Sequence, residues 1–178
     1  MSLFQQTILK KQIALNSEKI AEAYKKYVAY FHNPEIQENI RKSKEEEWQE
    51  GFMRALFVNI FDYTFKPDPK YNLVSEKKNE TDGEKADGAV LVNDEVRAVI
   101  ELKDTKTTDL KQIQKQAFNY KNNHRKASYV ITSNFEKLRF YIENAIDYKE
   151  FNLFTLTENE FSSLYGIKFV QHFKRGVS

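Results

Sequence analysis

The chain has 178 residues, with 28 Lys and Arg against 26 Asp and Glu and a formal net charge of +2. This length suits one domain with its own hydrophobic core. The absence of Cys excludes disulfides, thiolate zinc sites and cysteine nucleophiles, and with only three well-separated His a metal would need oxygen ligands, which favours a hard cation.

Helical periodicity dominates the first sixty residues. Apolar spacings of three and four predict helices over 3–13 and 17–33, and Asn33-Pro34 predicts the start of a third helix that ends near Lys42. Ser43-Lys44-Glu45-Glu46 has the form of a capping box, and a core helix is expected behind it, with Gly51 marking close approach by another element. We take 1–42 as an N-terminal helical extension and 43–178 as the core domain.

The periodicity changes after Pro69. Strands are predicted at 71–75, 86–92 and 95–103, with 76–85 as a charged loop and Asn93-Asp94 as a hairpin turn. A helix follows over 107–124, then strands at 128–132, 138–142 and 151–154, and a last helix from Thr157 to about Tyr165 with Gly166 after its end. This order predicts an α/β (α+β) fold with a mixed central sheet flanked by helices.

The chemistry-bearing residues lie on the predicted hairpin. Glu101 and Lys103 are two apart and share one strand face, and pairing about the turn sets residue 87 opposite residue 100, so that Asp87 comes close to Glu101. Asp87, Glu101 and the Leu102 carbonyl are suited to hold one or two Mg²⁺ ions for phosphodiester hydrolysis, with Lys103 orienting water or offsetting charge. The alternative is a solvated strand face, since acid-x-Lys triplets recur elsewhere in the chain.

Asp87 followed by Glu101-Leu102-Lys103 resembles the PD-(D/E)xK nuclease signature, although Ala86 stands where that signature has Pro. The order of elements over 43–156 is most similar to the N-terminal endonuclease domain of type IIG restriction-modification enzymes. Two further stretches carry this likeness, Glu45-Glu46-Glu47-Trp48-Gln49 and the strand end at 129–134. The resemblance implies a restriction-endonuclease-like fold and a Mg²⁺-dependent endonuclease acting on double-stranded DNA.

The same resemblance implies partners and further site residues. It implies methyltransferase and target-recognition domains C-terminal to this one in a longer protein. The basic tail at 174–176 ends without a structural stop, which is expected if the chain is a fragment of a longer protein. Cutting both strands with one site per chain predicts a transient homodimer. A first-helix glutamate, Glu47 or Glu46 with Glu50 as the fallback, is implied to join the metal site; an acidic first turn that complements the helix dipole is the alternative.

Gln116 and Tyr120 resemble the Gln-x-x-x-Tyr element of RecB-like nucleases, and Gln116 is implied to act at the site; a core Tyr120 with a solvated Gln116 is the alternative. Residues 103–126 are basic and predict a phosphate-binding surface or, alternatively, a solvated helix face, through Lys103, Lys106, Lys111, Lys115, Lys121, Arg125 and Lys126. His124 is a candidate phosphate contact, with an ordinary surface position as the alternative.

The sequence is therefore compatible with three functions. The first is a restriction-type endonuclease, and the alternatives are a RecB-like repair exonuclease and a noncatalytic DNA-binding or assembly module of the same fold. The chain shows no signal peptide and no apolar run long enough to cross a membrane, so a cytoplasmic protein with no membrane partner is expected.

Overall fold

The computed structural model describes residues 3–78 and 82–172. Within them lie six α-helices, a π-helical stretch at Met53–Val58 and a final 3-10 helix at Gly166–His172. The α-helices are α1 Leu3–Leu15, α2 Ser17–Phe31, α3 Pro34–Lys42, α4 Glu45–Phe52, α5 Lys111–Asn122 and α6 Glu158–Tyr165. None of the helices in these ranges is long and apolar enough to span a membrane.

Six strands form one mixed sheet whose spatial order follows the chain order. They are β1 Leu73–Lys78, β2 Lys85–Val92, β3 Glu95–Leu102, β4 Tyr129–Ser133, β5 Lys137–Ile142 and β6 Tyr148–Asn152. All neighbours are antiparallel except β3 and β4, which are parallel. A parallel pair needs a crossover connection, and α5 is that crossover.

The sheet is covered by helices on both faces. One face carries Ile100 and Leu102 and packs against α1, α2, α4 and α6 in the larger core. The other face carries Val99 and Val130 and packs against α5. The predicted mixed sheet with flanking helices is therefore confirmed at the level of fold class.

Local signals in the sequence set several of these elements. Asn33 Oδ1 accepts hydrogen bonds from the amides of Glu35 and Ile36 and caps α3, with Pro34 at the first helical position. The turn residues Asn93 and Asp94 have φ of 51° and 63°, the left-handed conformation that a two-residue hairpin needs.

The two edge strands depart most from prediction. β1 continues to Lys78 where a loop was predicted from residue 76, and residues 79–81 of that loop lie outside the described part of the chain. β6 begins at Tyr148 and ends at Asn152, so the predicted bounds of 151–154 are wrong. Both strands include charged, exposed residues, which protect a sheet edge from pairing with another chain. The same residues interrupt the alternating apolar pattern by which a strand is recognised in the sequence.

The helix predicted from Ser43 begins two residues later, because Ser43 Oγ donates to the Asn39 carbonyl at the end of α3 instead of capping α4. Gly51 is approached by Trp48 of its own helix and not by another element: a Cβ on Gly51 would lie 2.5 Å from the Trp48 ring. Gly166 has φ of −59° and begins the final 3-10 helix, so the left-handed cap expected there is absent.

Helices α1, α2 and α3 contribute Leu9, Tyr27 and Ile40 to the same core that covers the sheet. The predicted boundary after residue 42 thus falls between α3 and α4, and residues on both sides of it share one core. The basic tail at 174–176 lies outside the described residues.

Gly88 of β2 gives a test of this packing. A Cβ on Gly88 would lie 2.5 Å from Met53 Cε and 3.2 Å from the Val74 carbonyl oxygen. We expect Gly88→Ala to lower the free energy of unfolding by about 1–3 kcal/mol through overpacking. Urea denaturation should show a smaller loss in a Met53→Ala background, where the thioether is gone; strictly additive losses would contradict the contact.

Candidate active site

The pairing of β2 with β3 brings the two carboxylates together. The register shifts partway along this hairpin because β3 contains one extra residue, Arg97, and Gly88 pairs with Ile100. The next step of that register sets Asp87 opposite Glu101. The predicted pairing of residue 87 with residue 100 is therefore wrong by one residue. Counting residue pairs outward from the turn assumes a regular hairpin and does not reveal a β-bulge.

Asp87 is tied directly to the main chain of β3. The backbone amide of Leu102 donates a hydrogen bond of 2.7 Å to Asp87 Oδ2. Leu102, predicted as a carbonyl ligand, thus contacts the Asp87 carboxylate through its amide.

Glu101 is almost completely buried, with 3% of its surface exposed. Its Oε2 atom has no hydrogen-bond partner. A buried carboxylate oxygen without a partner is costly in a folded protein. It is the polar atom of this site that most requires a ligand.

Burial raises the pKa of Glu101 to about 8, and repulsion by Asp87 adds to this, while Lys103 acts in the opposite direction. Burial also raises the pKa of Asp87, with partial compensation from the Leu102 amide. Two carboxyl groups in one poorly solvated place oppose each other's ionisation, and a cation between them would reverse that effect.

Lys103 lies just beyond the end of β3, where its backbone amide donates to the Ser133 carbonyl at 2.9 Å. Its Nζ atom is 3.4 Å from Glu45 Oε2, and both side chains are about one-third exposed, at 31% and 28%. The lysine thus lies at the mouth of the buried pair, between Glu101 and the first residue of α4.

The glutamate of the first core helix that approaches the site is Glu45, not the predicted Glu47. Glu47 Oε2 accepts from the backbone amide of Lys44 and caps the helix. The other two candidates are also turned away from the site: Glu46 is exposed, and Glu50 pairs with Arg54 at 3.1 Å.

Sequence reasoning also missed Gln49, which connects Glu45 to the site. Its Nε2 atom donates to Glu45 Oε1 at 3.0 Å. Its side chain is also close enough to Asp87 to lower the pKa of that carboxyl, although burial raises this pKa more. The missed signal is helical phase: Glu45, Gln49 and the fully buried Phe52 are spaced four and three apart and share the face of α4 toward the core.

Gln116 interacts with Tyr120, one turn further along the same helix. Its Nε2 atom donates to the Tyr120 hydroxyl at 2.8 Å. Tyr120 is buried against the α5 face of the sheet, and its pKa is raised first by burial and also by Glu101 and Asp87. The structure therefore brings Tyr120 toward the carboxylates, with exposed Gln116 behind it.

Polar residues of β4 and the following turn complete the surroundings. Thr132 pairs with Glu101 across the parallel strands, and its buried hydroxyl has no hydrogen-bond partner. Asn134 donates from Nδ2 to the Thr107 carbonyl at 2.8 Å and accepts from the Lys137 amide, so it ties the loop after Lys103 to the β4–β5 turn. His124, considered as a surface contact for phosphate, is buried with 2% exposure.

Metal binding at this place would rest on few protein ligands. No group of three or more His, Cys, Asp or Glu side chains suited to a metal occurs within residues 3–78 and 82–172. Asp87 and Glu101 supply two carboxylates, and Mg²⁺ usually binds proteins through one or two carboxylates while keeping several waters. The unpartnered Oε2 of Glu101 and the all-oxygen donor set fit such an ion.

No protein-family model, curated protein or solved structure shows a significant match to this chain.

The raised pKa of Glu101 can be tested through the pH dependence of stability. Between pH 4.5 and about 8 the folded protein keeps a proton on Glu101 that the unfolded chain has lost, so wild-type stability falls as pH rises through this window. In EDTA at pH 8.5, Glu101→Gln should raise the free energy of unfolding by about 2–4 kcal/mol. The gain should vanish near pH 4.

Urea denaturation across the pH range measures this difference. Glu95→Gln is the matched control, because Glu95 is exposed at the other end of β3 and pairs with Lys126. A Glu101→Gln effect that is the same at every pH would contradict a buried, protonated Glu101.

Proposed function

We propose that this chain is a Mg²⁺-dependent endonuclease domain of restriction type, with a restriction-endonuclease-like fold, that hydrolyses phosphodiester bonds of double-stranded DNA. The observation that carries the proposal is the pair Asp87 and Glu101 on adjacent strands, with an unpartnered Glu101 oxygen and Lys103 at its mouth. The resemblance of these residues to the PD-(D/E)xK signature supports the same reaction.

In this proposal Asp87 and Glu101 hold the cation, and the Leu102 amide keeps Asp87 in place. The bound Mg²⁺ would lower the pKa of water and stabilise charge on the phosphate oxygens. Gln49 and Glu45 connect α4 to this cluster and hold Asp87 and Lys103 in position. Glu45 is therefore the glutamate of α4 beside the site in this proposal, as a positioning residue for Lys103 and not as a metal ligand.

Lys103 has the second role. Its ammonium group lies within reach of the site mouth, where it can stabilise the negative charge of the transition state or orient the attacking water. The ion pair with Glu45 restrains this flexible side chain before substrate binds. A partly exposed ion pair of this kind contributes little to the stability of the fold. Its role in this proposal is to position the Lys103 side chain.

The proposal extends to partners. One site per chain cuts one strand, so cleavage of both strands calls for a transient homodimer or two successive encounters. Recognition and methylation would belong to methyltransferase and target-recognition domains C-terminal to this one.

A RecB-like exonuclease is the second candidate, favoured by one contact. The Gln116–Tyr120 hydrogen bond joins the two residues of the Gln-x-x-x-Tyr element on α5, beside the carboxylates. A covalently closed plasmid separates the candidates, because an endonuclease nicks or linearises it whereas an exonuclease needs a free end.

Cleavage of a supercoiled plasmid with Mg²⁺ tests the proposed chemistry. Asp87→Asn and Glu101→Gln remove negative charge with little change in shape, and we expect each to slow cleavage by at least about 100-fold. Lys103→Met should slow it by about 100-fold or more through loss of charge stabilisation. EDTA should abolish cleavage.

Glu95→Gln and Lys149→Met are the matched controls, since each removes an exposed charge away from the carboxylate pair, at the start of β3 and on the edge strand β6, and both should cleave as wild type. The full-length protein is tested in parallel, so that a missing partner domain does not hide activity. Equal cleavage by all variants would contradict the catalytic assignment. Plasmid binding without cleavage by the full-length wild type would instead support the noncatalytic module.

Metal binding can be measured without DNA. At Mg²⁺ ten times above the dissociation constant, binding should stabilise the wild type by about 1.4 kcal/mol and raise Tm by about 2–6 °C. Asp87→Asn and Glu101→Gln should lose this rise, while Glu95→Gln should keep it. An equal rise in all four proteins would place Mg²⁺ elsewhere.

A further inference from the structure

Helix α5 presents an exposed face of unusual composition. Its buried residues Ile113, Ala117 and Tyr120 pack on the sheet. Its exposed residues are all Lys, Gln or Asn, namely Lys111, Gln112, Lys115, Gln116, Asn119 and Asn122. We call this set the α5 strip. Every member is a hydrogen-bond donor, and none carries a negative charge.

The two lysines of the strip are not neutralised by the protein. Neither Lys111 nor Lys115 forms an ion pair within residues 3–78 and 82–172. The nearest acids in sequence serve the backbone instead: Asp109 accepts from the Lys111 amide at 2.9 Å, and Asp104 accepts from the Lys106 amide at 3.0 Å. The ammonium groups of Lys111 and Lys115 are therefore available to an anion from outside.

The strip lies beside the candidate active site. Helix α5 packs on β3 and β4 through the core that contains Val99, two residues before Glu101. Gln116, a member of the strip, donates to Tyr120, which faces the sheet near the carboxylates. Lys111 and Lys115 are one helical turn apart, about 6 Å along the axis, on the N-terminal side of Gln116.

We infer that the α5 strip binds the phosphate backbone of duplex DNA and so holds the strand across the site; this rests on the proposed nuclease function. Lysines supply the electrostatic attraction, and the Gln and Asn amides donate hydrogen bonds to phosphate oxygens. Such contacts carry no base sequence information, so the strip sets affinity and position but not the recognition site.

Fluorescence anisotropy with a labelled 20-base-pair duplex in EDTA tests the inference without cleavage. Lys111→Gln/Lys115→Gln should bind about 10-fold or more weakly near 0.1 M salt, and the salt dependence of log K should lose about two units of slope. Lys25→Gln/Lys26→Gln is the control, because it removes the same charge from exposed positions on α2, across the sheet. The control should bind within about twofold of wild type.

Three results would overturn the inference: unchanged binding by the strip variant, an equal loss in the control, or tighter binding of a single-stranded RNA of the same length. The proposed function is judged separately. If Lys111→Gln/Lys115→Gln binds as wild type while plasmid cleavage still depends on Asp87 and Mg²⁺, the strip is wrong and the nuclease assignment stands. If the strip variant loses binding but wild type never cleaves, the nuclease assignment fails and the strip remains a DNA-binding surface.

Discussion

The pairing of β3 with both of its neighbours is the constraint on which the site depends. β3 is antiparallel to β2 and parallel to β4, so its carboxyl end meets the start of β2 and the end of β4 at one edge of the sheet. The extra residue Arg97 shifts the register and sets Asp87 beside Glu101. Without that bulge, the acid of β2 would lie opposite an apolar residue. Bulges are common next to active sites for this reason.

This arrangement works against stability at the carboxylates. Glu101 lies in an apolar sheet flanked by two cores, and its unpartnered oxygen carries a desolvation cost that neighbouring hydrogen bonds do not offset. The rest of the fold supplies the compensation through closely packed aromatic side chains, such as Tyr27, Phe31 and Phe161. A buried polar group that weakens the fold and lacks a partner is typical of a functional site.

Much of this could be predicted from the sequence, because the signals are local. Asn33-Pro34, Asn93-Asp94 and the alternation around Glu101 each act over a few residues and determined a cap, a turn and a face. The register shift at Arg97 and the π-helical stretch depend on tertiary packing, which leaves no periodic mark. The predicted candidates Glu46, Glu47 and Glu50 did not include Glu45, because neighbouring acids of one helix look alike in a sequence until the partner of each is known. The charged edge strands were misplaced because exposure removes the apolar pattern.

Met53 lies against Gly88 on the face of the sheet that carries Ile100 and Leu102, while the preceding residue, Asp87, belongs to the opposite face with Glu101. Gly88 and Asp87 are consecutive residues of one strand, so the position of the carboxylate depends on how the larger core packs against the other face of that strand. Divergence among related sequences should reflect this: volume changes around Met53 and Val74 are expected to be matched by compensating changes nearby, even though neither residue takes part in chemistry. The N-terminal helices, which complete the larger core, would then evolve under the geometry of the site.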